Sequence, residues 1–220
     1  MKFSFEYLWK CLESGVVYIP VTLGLALIPL AIAIILGTII ALGRIFKLPV
    51  FEQFFKIFTA IYTGIPVTVT LLIFHLLFLT YFRPGRYGTI LLAYFNFTLG
   101  RTILVSETIR GAFLAIPKGQ YEAAWACGLS TVQTLKKIVI PQMIPVALPA
   151  LTNNTLGSIK NTSIVMILGI VDILNGSTIP CADTYSYVEG YVAAAIIYWA
   201  INSVFEFFLV RLEKHLISKR

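Results

Sequence analysis

From Gly15 to Gly43 the chain carries no charged residue. A run of that length suits an α-helix that crosses the roughly 30 Å hydrocarbon core of a bilayer. Inside lipid the backbone must satisfy its own hydrogen bonds, so such a run folds as a helix. Four more apolar stretches follow, at 57–82, 87–109, 138–171 and 190–210. They are continuous and do not alternate, which argues against a β-barrel. Hydrophobic residues make up 58% of the chain and charged residues 12%, against about 25% charged in a soluble domain. The fold class expected is therefore all-α: an integral membrane bundle of five transmembrane helices. The first run is too long for the apolar core of a secretory leader, and no cleavage pattern follows it.

The polar interruptions shape these spans. The second span is expected to break near Gly64 and Pro66. The fourth is too long for one regular helix; it carries Pro141, Pro145 and Pro149, four apart on one face, and then Lys160-Asn161-Thr162-Ser163. Proline frees carbonyls and kinks a helix, so a span, a break and a shorter helix are expected. Arg83 to Arg86 reads as a tight loop and 172–189 as a polar one. Residues 1–14 place Phe5, Leu8, Trp9 and Leu12 on one helical stripe, as in a segment lying at the membrane interface. The remaining 15–220 form one transmembrane domain, with no internal repeat. His75, alone on an apolar helix, reads as hydrogen-bonded structure. Cys11, Cys127 and Cys181 lack metal-ligand spacing and read as free thiols.

Basic residues set the orientation. One side receives Arg44, Lys47, Lys56, Arg110, Lys118, Lys136, Lys137, Arg211, Lys214, Lys219 and Arg220; the other receives Lys2, Lys10, Arg83 and Arg86. The richer side is cytoplasmic by the positive-inside rule. The N-terminus is then outside and the C-terminus inside. The net charge of +7 belongs to topology and anionic lipid, and no nucleic-acid partner is implied.

Between the third and fourth spans, on the cytoplasmic side, a short helix is expected at about 119–131. Pro117 and Gly119 punctuate its start, and Glu122 falls in the first turn, where the helix dipole favours a negative charge. Ala123, Ala124, Cys127 and Gly128 add little bulk, so the helix could press close to another surface; as an alternative, it is an ordinary connector rich in helix formers.

Glu122-Ala123-Ala124, then Gly128, Ile138 and Pro141, match the EAA loop of ATP-binding-cassette importer permeases in every spacing. Glu107-Thr108-Ile109-Arg110-Gly111, Ile116-Pro117, Gly119-Gln120 and Lys160-Asn161-Thr162-Ser163 resemble the polar amino acid subfamily. Two departures stand out: Thr63-Gly64-Ile65-Pro66 replaces the usual Arg-Gly-Thr-Pro, and Asn161 replaces an Asp. The resemblance implies a type I importer fold in the bacterial cytoplasmic membrane. It implies two permease chains, alike or related, on two ATPase subunits, with an extracellular solute-binding protein delivering a polar amino acid. The helix at 119–131 would be the coupling helix, through Glu122, Ala123, Ala124, Gly128 and Pro141. ATP and Mg would sit on the ATPase, and this chain would bind no cofactor.

Charges within spans cost on the order of 2.5–3.5 kcal/mol at mid-bilayer, so each calls for a reason. Arg101 is outside the subfamily pattern and could take a substrate carboxylate, with Asn153, Asn154 and Ser158 adding polar contacts; a structural or snorkelling arginine is the alternative. Glu107 and Arg110 read as a structural or gating pair. Lys160 and Asn161 read as holding the break in the fourth span. No phosphate-binding Gly loop followed by Lys-Ser or Lys-Thr occurs, and no catalytic triad or metal cluster is credible, so an enzyme is not expected. The alternatives left open are an importer permease for another solute, such as a metal chelate or peptide, an ATP-independent transporter, and a helical anchor with no transport role.

Overall fold

The computed structural model describes residues 3–46, 48–82, 86–183 and 185–218, and the regular elements among them are all helical. Lys2, Lys47, Arg83, Lys219 and Arg220 of the charge count lie outside the described residues, as does most of the expected loop 83–86. The first helix, α1 (Phe5–Val16), takes in Gly15 and Val16, so the first span begins later than expected, in α2 (Ile19–Ile45). Pro20 is the reason. It has no N–H to give to the carbonyl four residues back and its ring clashes there, and that carbonyl belongs to Val16, where α1 ends.

Helix α2 buries Thr22, Ala26, Pro29, Ala33, Gly37, Ala41 and Arg44 along one stripe, while Ile28, Ile35 and Ile39 are exposed. The stripe packs against α5 (Arg86–Leu114), the most extensive helix pairing in the fold. A Cβ at Gly37 would stand 2.9 Å from the Thr102 carbonyl and from Val105. Helix association in lipid depends on such close backbone approach through small residues.

The second span is two helices, α3 (Pro49–Thr63) and α4 (Val67–Phe82), bent by 101°. The break falls at Gly64-Ile65-Pro66 as expected, but α3 begins eight residues before the predicted 57. Among the described residues four helices are long and apolar enough to cross a membrane, or five if the bent pair is one span.

After α6 (Lys118–Ala126) and the single turn α7 (Thr131–Thr134), a π-helical turn, Leu135–Val139, leads into α8 (Ile140–Asn161). Pro145 and Pro149 lie within α8 and do not break it. The irregularity is displaced upstream: the Ile140 N–H reaches the Leu135 carbonyl, five residues back, so the ladder lengthens just before Pro141 withholds its donor. The break comes after Asn161, within the expected Lys160-Asn161-Thr162-Ser163 interruption, where the chain tightens into a 3₁₀ helix, Thr162–Leu168, ended by Gly169 at φ 72°.

The expected polar loop at 172–189 is largely buried structure. It contains α9 (Ile173–Thr178) and a 3₁₀ turn, Ile179–Cys181, before α10 (Tyr187–Ser218). Asp172, Ser177, Cys181 and Glu189 are buried. The two carboxylates find partners that a sequence pattern does not reveal: Tyr198 donates to Asp172 at 2.6 Å, and the Ser4 N–H donates to Glu189 at 2.8 Å. Helices α1, α9 and α10 thus close one end of the bundle. Helix α2 spans about 40 Å at 1.5 Å per residue and delivers Arg44 to the opposite end, beside Glu107.

Candidate functional site

Three features lie along α5. The first is the turn that follows it. Pro117 caps α6, which is shorter than the expected 119–131. The helix ends at Ala126. Gly128 takes φ 79°, and the Leu129 N–H bonds the Ala124 carbonyl at 3.0 Å. This is a Schellman-type stop, which requires a left-handed residue. Gly128 therefore turns the chain and does not extend the small-residue face of the helix. Ser130 and Gln133 then form a capping box for α7. Ala124 is buried, whereas Glu122, Ala123 and Gly128 are exposed. Trp125 projects, 53% exposed, and a Cβ at Gly128 would meet nothing within 4 Å. The Gln142 side chain donates to Gln120 at 3.1 Å, tying α6 to α8 one residue beyond Pro141.

The second feature is an ionic cluster. Arg110 Nε and Nη2 donate to one oxygen of Glu107 at 3.1 and 2.8 Å, and Arg44 Nη1 donates to the other. Sequence reading paired Glu107 with Arg110 and gave Arg44 only to topology. The missed signal was a basic residue at the end of the small-residue stripe that faces α5. Beside the cluster, Asn154 donates to Thr108 at 3.3 Å.

The third feature is a cavity of about 250 Å³ between α3, α4, α5 and the end of α8. Arg101, Asn96, Tyr62, Thr63 and Asn161 supply its polar lining, with Gly100 among them. Arg101 donates to the Gly157 carbonyl at 3.4 Å, and among the described residues no carboxylate lies within ion-pair distance of it. Asn96 is buried; its amide donates to Thr70 at 3.4 Å and its oxygen has no partner. Asn153, Asn154 and Ser158, expected beside Arg101, do not line this cavity. Asn153 is exposed, and Ser158 is buried and bonds the Asn154 carbonyl at 2.7 Å. Lys160 is exposed. The Thr162 and Ser163 hydroxyls bond back to the carbonyls of Ile159 and Lys160. Hydroxyls bonding backward in this way compete with the α-helical ladder and mark the change to the 3₁₀ segment.

Residues 21–218 match the model of a protein family described as the binding-protein-dependent transport system inner membrane component. The chain belongs to this family. It is a non-catalytic permease subunit of an ABC importer, a multi-pass protein of the bacterial inner membrane. A probable amino-acid ABC transporter permease of Vibrio harveyi is 30% identical to it over 208 residues, 91% of each chain. The L-cystine transport system permease TcyL of Bacillus subtilis is 31% identical over 90% of this permease and 85% of the relative. Among solved structures, an amino acid ABC transporter crystallised with histidines superimposes with a TM-score of 0.84 at 25% identity, covering 98% of this permease and 100% of that chain. A chain of a methionine ABC transporter in an inward-facing conformation shares the fold, with a TM-score of 0.75 at 17% identity over 97% and 99% of the two chains. Among the described residues of the permease, no group of three or more His, Cys, Asp or Glu side chains is placed to hold a metal ion.

Proposed function

We propose that the permease moves a polar amino acid through a path that includes the Arg101 cavity, driven by a separate ATPase and supplied by an extracellular solute-binding protein. The observation that carries this reading is Arg101, a guanidinium facing a cavity with no carboxylate of the described residues within ion-pair distance. A planar cation of this kind is suited to grip an α-carboxylate with two hydrogen bonds. The names of its relatives, which include an L-cystine and several amino-acid permeases, point to the same substrate class.

In this reading the bent pair counts as the second of five spans, the N-terminus is outside and the C-terminus inside, as the distribution of Lys and Arg supports. The bundle proper is 15–220, with 1–14 at the interface. Helix α6 is then cytoplasmic and couples to the ATPase, which holds ATP and Mg. Glu122 and Ala123 offer the exposed docking face, Gly128 turns the chain beside it, and the buried Ala124 seats α6 against the permease. Pro141 and the Gln120–Gln142 contact pass motion to α8. Glu107, Arg110, Lys160 and Asn161 hold the spans together or gate them, and Asn153, Asn154 and Ser158 remain candidates further along the path. Two permease chains, alike or related, complete the assembly.

The test is ATP hydrolysis and uptake by the complete complex in liposomes, with its binding protein loaded in turn with each amino acid. One or a few polar amino acids should stimulate both activities. Stimulation by a peptide or metal chelate but by no amino acid would overturn the substrate class. Uptake that proceeds without ATP would overturn the coupling.

A further inference from the structure

Cys11 and Cys181 are 170 residues apart in sequence and meet inside the protein, with their sulfurs 3.6 Å apart. Both are completely buried. Cys11 projects from the inner face of α1. Cys181 ends the 3₁₀ turn that links α9 to the last helix, and Ala193 completes the cluster. The site is shaped around sulfur: a Cβ at Gly190 would stand 2.6 Å from Cys181 Sγ. Helix α1 is drawn close at the same place by Gly15, where a Cβ would fall 2.1 Å from the Ser177 hydroxyl.

Sequence reading favoured free thiols and left a Cys11–Cys181 pairing open. Contact between two of them changes that expectation. A disulfide needs the sulfurs at about 2.05 Å, roughly 1.5 Å closer than their present contact. The pair lies at the α1–α9 end of the bundle, and the exposed Cys127 follows α6 at the other end. With the orientation proposed above, on which this inference rests, the pair faces the oxidising compartment and Cys127 the reducing one.

We propose that Cys11 and Cys181 form a disulfide that fastens α1 to the α9 hairpin and α10. In forming it, the two thiols lose two protons and two electrons. The acceptor is a protein disulfide of the extracytoplasmic compartment, whose own sulfur–sulfur bond breaks to give two thiols. Burial, together with Cys181 as hydrogen-bond partner, pushes the Cys11 thiol up to about 12. Once α1 is seated, little thiolate is available to exchange. The bond therefore forms as α1 docks during folding, and burial of both sulfurs then shields it from attacking thiolates.

Thiol counting in the full-length protein tests this directly. Cells are quenched in acid and denatured in SDS with N-ethylmaleimide, then treated with or without reductant, followed by a polyethylene-glycol maleimide. The expected result is two added polymer chains after reduction and none without it. Cys127 alone should carry N-ethylmaleimide, and mass spectrometry should find the peptides around Cys11 and Cys181 joined. Cys127→Ser should leave the pattern unchanged, and Cys11→Ser should leave Cys181 blocked by N-ethylmaleimide. N-ethylmaleimide on all three cysteines, or disulfides between chains, overturns the cross-link. A membrane-impermeant maleimide applied to intact cells reads the orientation separately, since Cys127 should be protected. Labelling of Cys127 from outside would place the failure in the orientation; protection of Cys127 with three free thiols would place it in the pairing.

Discussion

Arg44 on α2 donates to Glu107 on α5 across 63 residues of sequence, and Arg110 occupies the other carboxylate oxygen from one turn along α5. The Arg44 side chain is only 8% exposed, so its charge is tolerable there because Glu107 answers it. Glu107→Gln removes that compensation. The expected cost is about 1–3 kcal/mol, the usual penalty for leaving a buried charged group poorly satisfied, and it should appear as a lower melting temperature in detergent. Adding Arg44→Met should recover part of the loss, because a vacated ion pair filled by apolar bulk is often neutral. Strictly additive losses would show that the two residues are not coupled.

Arg101 is the converse case. Its recorded bond is a long one, 3.4 Å to the Gly157 carbonyl. Removing it should therefore cost the fold little. Arg101→Met is expected to leave the melting temperature unchanged or raised, while uptake falls at least tenfold, roughly the 1.4 kcal/mol that one weakened carboxylate contact represents. Arg101→Lys should fall between, since an ammonium keeps the charge and loses the planar fork. Equal uptake by all three proteins would remove Arg101 from the substrate path.

How much of this was legible depended on range. The charge-free run that becomes α2, the break at Gly64 and Pro66, and the spacing from Glu122 to Pro141 are local patterns, and each can be read along the chain. The Arg44–Glu107 bond and the cavity that joins Tyr62 and Asn96 to Arg101 depend on packing between helices, which no local pattern carries. The 172–189 segment looked like a solvated loop because Asp172, Ser177 and Glu189 are polar. Asp172 and Glu189 are tolerated in the interior because Tyr198 and the Ser4 N–H reach them from far along the chain. The prolines of α8 misled for a different reason: the π-helical turn before Pro141 absorbs the irregularity that was expected within the span.

Asp172 has two tasks. One oxygen caps α9 by accepting the Asn175 N–H at 3.0 Å, and the other accepts the Tyr198 hydroxyl at 2.6 Å. Tyr198 also contacts Thr162, where the 3₁₀ segment begins. Asp172→Ala should lose about 2–4 kcal/mol, combining a helix cap with a hydrogen bond to a charged acceptor. Asp172→Asn keeps an oxygen for one partner and should lose about half as much by the same reasoning. Denaturation of the detergent-solubilised protein, followed by Trp fluorescence, gives both values. An alanine variant as stable as the parent would mean that α9 is held by its apolar contacts alone.

Gly128 separates a backbone role from a docking role. Its φ of 79° costs most residues about 1–2 kcal/mol and costs Asn less. Around its missing side chain there is nothing within 4 Å, so within the permease a larger residue meets open space. Gly128→Asn should therefore support substantial uptake. Gly128→Trp carries the larger backbone strain of an ordinary residue, about 1–2 kcal/mol, plus a ring directed at the surface where the ATPase is proposed to sit. It is expected to reach the membrane at normal levels and to abolish both uptake and substrate-stimulated ATP hydrolysis. Comparing the two variants in the reconstituted complex isolates the effect of bulk. If Gly128→Trp still transports at the level of Gly128→Asn, the space beside Gly128 faces solvent, and α6 does not dock through this turn.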